Sequence, residues 1–167
     1  CCGIREFAGG VGFARVELMK ESRPYILLVE DNPDDELLTR RALRKNKIPN
    51  EVVVIRDGSA AIDFLFAQGQ YSSRAQRQPD LVLLDLKMPK VDGLELLKTI
   101  RADKRTAMLP VVMLTTSNEE SDIRMSYACG ANSYVRKPVD FAQFTHAMRL
   151  IGEYWLGLNE LPPDGEM

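Results

Sequence analysis

At 167 residues, 45% of them hydrophobic and 28% charged, the chain has the composition of one globular domain with a full hydrophobic core and is too short for two. Its 22 basic and 24 acidic residues give a net charge of −2 with no basic stripe, which argues against sequence-independent nucleic-acid binding. No apolar run approaches the roughly 20 residues that cross a bilayer, so no membrane association and a cytoplasmic location are expected, and Cys1, Cys2 and Cys129 are too few for a disulfide framework or a zinc site.

Residues 1–22 lack periodicity and contain Gly3, Gly9, Gly10 and Gly12. They read as an appendage upstream of a natural start at Met19. The domain proper is expected over 23–158, with a tail over 159–167. From Pro24 onward short apolar runs alternate with amphipathic stretches, the pattern of βα units around a parallel sheet. The first strand is read over Tyr25 to Val29. Asn32-Pro33-Asp34-Asp35 then supplies a cap, a proline fit for the first helical position and acids at the positive dipole end, for a helix running to about Lys45. A second strand, Val52 to Arg56, leads into a helix beside Asp57-Gly58, and the hydrophilic stretch Gly69 to Gln78 reads as a solvated loop. A third strand, Asp80 to Leu84, precedes a helix at Gly93, and a fourth, Pro110 to Leu114, precedes a helix opened by the capping box Ser117-Asn118-Glu119-Glu120 and closed by Gly130. Ser133 to Arg136 is the fifth strand, and Asp140 caps the last helix. Five such units give a doubly wound α/β fold of flavodoxin-like order 2-1-3-4-5, with its switch point between strands 1 and 3.

Four of these strands end in residues of different chemistry: Glu30 and Asp31, Asp85, Thr115, and Lys137. Ligands of open α/β sheets bind beyond the strands' carboxyl ends, so three carboxylates, a hydroxyl and an ammonium should converge. Carboxylates about 4 Å apart repel by about 4 kcal/mol at an effective dielectric near 20, and a hard cation offsets this. Mg²⁺ fits, with Asp31 and Asp85 as direct ligands and Glu30 acting through water. Asp85 can then serve as nucleophile toward a phosphoryl group whose oxygens Lys137 and Thr115 would stabilise.

Leu28-Val29-Glu30-Asp31-Asn32, Leu83-Leu84-Asp85-Leu86-Lys87-Met88-Pro89, Asp92-Gly93, Leu114-Thr115-Thr116 and Lys137-Pro138 together make the chain resemble a response-regulator receiver domain over Pro24 to Trp155. The resemblance implies that a histidine kinase or phosphotransfer protein phosphorylates Asp85, that Tyr134 is the aromatic switch acting with Thr115, that the backbone carbonyl of Lys87 completes the Mg²⁺ shell, and that Lys137-Pro138 is a cis peptide. The loop around Tyr71, the Leu-Thr-Thr-Ser run and the tail from Tyr154 are similar to those of small regulators serving phytochrome-like kinases. Soon after the last helix the chain ends, so no output domain is expected. Lys87 and Ser117, two residues beyond Asp85 and Thr115, occupy places that tune water access in such domains, while Thr116 stands where alanine is frequent.

An aspartyl-phosphate phosphatase would need an acid two residues after its nucleophile, where this chain has Lys87. A flavin carrier would need a glycine- and hydroxyl-rich loop in place of the acidic run from Glu30 to Asp35. A degenerate receiver serving only as an interaction module would have lost Asp85 or Lys137, and His146 reads as an ordinary surface residue. Phe141, Phe144, Met148, Ile151, Trp155 and Leu158 recur at helical spacing. They form a core-facing stripe whose outer end, with Trp155 and Leu158, is expected to project beyond the sheet and form a homodimer through strand 5, helix 5 and the tail.

Overall fold

The computed structural model describes residues 24–47, 50–74 and 77–162; the expected appendage and the end of the tail lie outside them. Five parallel strands, β1 (Tyr25–Val29), β2 (Glu51–Ile55), β3 (Leu81–Leu84), β4 (Val111–Thr115) and β5 (Ser133–Arg136), form one sheet of order β2-β1-β3-β4-β5. This is the expected flavodoxin-like topology, with strand ends displaced by at most one residue. The helices are α1 (Pro33–Lys45), α2 (Gly58–Leu65), α3 (Gly93–Ala102), α4 (Glu120–Ala128) and α5 (Phe141–Glu153).

Side-chain alternation along the buried strands divides the core in two. Tyr25, Leu27 and Val29 of β1 face α2 and α3, where Phe64, Leu96 and Ile100 pack, whereas Ile26 and Leu28 face α1 and α5, where Leu43, Phe144 and Met148 pack. The caps are local and legible: the Asn32, Asp57, Asp92 and Asp140 side chains accept backbone N–H bonds at the starts of α1, α2, α3 and α5. Gly130 stops α4 at φ +93°, a conformation that favours glycine.

Four expectations need correction. The capping box before α4 does not form; the helix starts at Glu120 without a side-chain cap, and the Ser117 oxygen instead accepts from the Glu119 N–H at 3.4 Å while its hydroxyl donates to Asp122 at 2.6 Å. The stretch after α2 is not merely solvated: Gly69–Tyr71 makes a 3₁₀ turn, Tyr71 packs edge-on against Phe64 at 5.2 Å, and the Arg74 guanidinium lies 4.0 Å from the Phe64 ring centre. No described peptide bond is cis, so Lys137–Pro138 is trans, the isomer an X-Pro bond favours by about 0.5–1 kcal/mol. Finally, α5 gives way to a π turn over Tyr154–Leu158, which changes the helical register. Trp155 therefore stays half-buried against the α1/α5 core, and the row left exposed is Leu150, Tyr154 and Leu158.

Candidate phosphoryl and metal site

Strand pairing builds the pocket. The Asp85 N–H donates to the Val29 carbonyl at 3.0 Å, carrying the β1/β3 ladder one residue further and placing Asp85 beside Glu30 at the switch point. Lys137 N–H donates to the Thr115 carbonyl at 2.8 Å, which extends the β4/β5 pairing in the same way. Behind Asp85, the start of α3 lies so close that a Cβ added at Gly93 would sit 2.3 Å from the Asp85 carbonyl oxygen. A side chain there would push away the segment carrying Asp85.

Glu30, Asp85, Thr115 and the Lys137 side chain are buried, and Asp31 is half-buried at the rim. The Lys137 ammonium lies 2.6 Å from Glu30 Oε2, 2.6 Å from Asp35 Oδ2 and 3.5 Å from Asp85 Oδ1. Burial pushes the Glu30 carboxyl up to about 7, against the pull of Lys137 and with the help of Asp85 and Asp35. Asp85 is also raised, chiefly by burial, with Lys137, the Leu86 N–H and the Thr115 hydroxyl opposing. Burial works against the charge on Lys137, but Asp35, Glu30 and Asp85 outweigh it and raise its pKa.

Glu30, Asp35 and Asp85 thus surround one ammonium, with Asp31 beside Glu30 and Asp85 at the rim, so acidic groups outnumber the basic one. Each of Glu30, Asp31 and Asp85 offers a carboxylate oxygen within 4.8 Å of the other two, a donor set that fits a hard divalent cation. The structure brings Glu30, Asp85, Thr115 and Lys137 together with Asp31 at their edge. Asp35, which the sequence marks only as an acid at the dipole end of α1, joins the pocket through Lys137. Its helical spacing carries the signal: it lies four residues before Thr39 and seven before Ala42 on the buried side of α1.

At the mouth, Lys87 N–H donates to Asp85 Oδ2 at 3.2 Å and the Lys87 ammonium pairs with Asp122 at 2.9 Å. The Ser117 N–H donates to Thr115 Oγ1 at 3.2 Å, and the half-buried Tyr134 donates its hydroxyl proton to the Ser117 carbonyl at 3.1 Å. His146 is exposed beside Arg149.

Residues 26–149 match the family described as the response regulator receiver domain. The chain belongs to that family. The receiver is 39% identical over 144 residues to response regulator Rcp1 of Synechocystis sp., covering 85% of this chain and 97% of that protein. A solved Mn(2+)-bound form of Rcp1 is 38% identical, with a TM-score of 0.76 over 83% of this chain and 99% of that one. The phosphorylated cyanobacterial phytochrome response regulator RcpA is 40% identical, with a TM-score of 0.79 over 84% and 99%. The bacteriophytochrome response regulator RtBRR is 48% identical, with a TM-score of 0.69 over 85% and 86%. The receiver is accordingly a signalling protein of the two-component class, and its acidic cluster is consistent with a phosphoacceptor site. Among the described residues no helix is long and apolar enough to cross a membrane.

Proposed function

We propose that Asp85 accepts a phosphoryl group from the phosphohistidine of a histidine kinase or phosphotransfer protein, and that the receiver signals by the ensuing conformational change. The observation that carries this is the placement of a buried carboxylate at the end of β3 within 3.5 Å of a buried ammonium. An Asp85 carboxylate oxygen forms the new P–O bond as the P–N bond to imidazole breaks, and the electron pair leaves with the imidazole nitrogen. Lys137 and the Thr115 hydroxyl stabilise charge on the equatorial oxygens. Bound Mg²⁺, held by Asp31, Asp85, the Lys87 carbonyl and Glu30 through water, would supply neutralisation of phosphoryl charge. Thr115 then moves inward, and Tyr134 turns with it. The likeness to phytochrome-associated regulators supports a phytochrome-like kinase as donor. The reading is tested by incubating the protein with acetyl phosphate with and without Mg²⁺ and mapping the label by mass spectrometry: Mg²⁺-dependent modification of Asp85 is expected, and label confined to other residues would refute it.

Asp31→Ala removes an oxygen donor and also relieves carboxylate repulsion. Its Mg²⁺ affinity, measured by titration calorimetry, should fall at least about tenfold, while the metal-free variant should be no less stable than wild type. Unchanged affinity would remove Asp31 from the metal site.

A homodimer through β5, α5 and the tail is the second part of the proposal. It is supported by the exposed row Leu150, Tyr154 and Leu158, spaced by four along α5 and the π turn. Tyr134, the proposed switch, lies on the neighbouring strand, so phosphorylation should tighten the dimer. Sedimentation velocity with and without phosphodonor is expected to show a dimer that Leu158→Glu weakens. Monomers throughout would rule it out.

A further inference from the structure

Asp122, in the first turn of α4, takes part in no step described so far, yet two residues flanking the pocket mouth converge on one of its oxygens. The Ser117 hydroxyl donates to Oδ2 at 2.6 Å and the Lys87 ammonium approaches the same atom at 2.9 Å. Lys87 lies two residues beyond Asp85 and binds its carboxylate through the backbone N–H. Ser117 lies two residues beyond Thr115, whose hydroxyl its N–H contacts, and its carbonyl receives the Tyr134 hydroxyl. Lys87, Asp122, Ser117 and Tyr134 therefore form a continuous polar chain from the loop after β3, across the mouth, to β5.

We infer that Asp122 is a positioning residue that ties the loop after β3 to the loop after β4 and holds the resting state, and that phosphorylation of Asp85 must loosen this tie. The inference rests on Asp85 being the phosphoacceptor. When Thr115 is drawn toward the phosphoryl group it carries Ser117 with it, and Ser117 can follow only by leaving Asp122 or by dragging the Lys87 ammonium. The element that must yield is weakly anchored, since Ser126 is the one residue of α4 that is buried. With Lys87 64% exposed and Asp122 16%, the ion pair is weak enough to break and re-form. A cap alone would not explain the geometry: the α4 start has no side-chain cap bond, and the Asp122 carboxylate looks back to the loops instead of to its own helix N-terminus.

The test compares wild type with Lys87→Gln, Asp122→Asn and the double variant by two readouts. Without phosphodonor, amide exchange at residues 116–119 and in α4 should speed up in each single variant, and the double variant should exchange no faster than the quicker single one, because both substitutions break one link. With acetyl phosphate and Mg²⁺, Asp85 labelling should accelerate about threefold, the size expected for loss of a half-exposed ion pair. Asp122→Glu, which restores the charge, should recover most of the wild-type rate. Unchanged exchange in the single variants, or effects of Lys87→Gln and Asp122→Asn that simply add, would overturn the inference even if Asp85 labels normally. Failure of Asp85 labelling in wild type would instead overturn the phosphoacceptor reading, and exchange would still judge the tie.

Discussion

Asp85→Asn should reduce phosphorylation by acetyl phosphate to background while leaving the fold intact. Asparagine has nearly the same shape, so burial at the end of β3 and the close fit against Gly93 are preserved. What disappears is a carboxylate oxygen able to attack phosphorus. The neighbouring acids are poor substitutes. Glu30 is buried at the base of the pocket, with one oxygen on the Asn32 N–H and the other on Lys137, and burial raises its pKa to about 7. Asp35 is bound at 2.6 Å to the same ammonium. Asp85 Oδ1 lies 3.5 Å from Lys137, a longer approach than the 2.6 Å by which the same ammonium holds Glu30 and Asp35. Intact-mass measurement of wild type and variant decides the matter, and undiminished labelling of the variant would move the phosphoacceptor elsewhere.

Lys137→Met should be the most destabilising single change in the pocket. The lysine side chain is 7% exposed and binds Glu30 and Asp35, with Asp85 next to it. Removing one partner of a buried ionic cluster leaves uncompensated charge, at a cost of about 3–5 kcal/mol. The cost depends on pH in a definite sense. The folded state raises the Glu30 pKa to about 7 from an ordinary 4.5 even with the lysine present, so the native state binds more protons than the unfolded chain between those values. Stability from this group therefore falls as pH rises through the window. Without the ammonium the Glu30 and Asp85 pKa values rise further, so the difference between variant and wild type should be large at pH 8 and smaller at pH 5. Millimolar Mg²⁺ should restore part of the loss at pH 8, since a divalent cation replaces the missing charge. Urea unfolding at both pH values measures this. A loss below about 1 kcal/mol at pH 8 would mean that solvent already screens the cluster.

Most of the architecture, and the four strand-end members of the candidate site, follow from interactions local in sequence. Apolar runs such as Leu81–Leu84 mark strands buried on both faces, and Asn32, Asp57 and Asp92 mark helix starts because a short polar side chain can cap only the N–H groups two or three residues ahead. Once strand order is granted, the strand ends must meet, and Glu30, Asp85, Thr115 and Lys137 can be named from the one-dimensional pattern. Local rules misled at two places: the Ser117 hydroxyl donates to the Asp122 side chain five residues on, in the first turn of α4, while its oxygen accepts only from the Glu119 N–H, and Tyr71 and Arg74 fold back over Phe64 where a polar stretch suggested only solvent. The tertiary structure alone decided which acids share the Lys137 ammonium, because Asp35 meets it across 102 residues of chain. It also decided that Asp122 bridges the pocket mouth, and that the π turn leaves Tyr154 and Leu158 exposed while Trp155 stays against the core. Hydrophobic period and capping propensity are properties of a segment, whereas the partner of a long charged side chain is set by whichever opposite charge the sheet brings within reach.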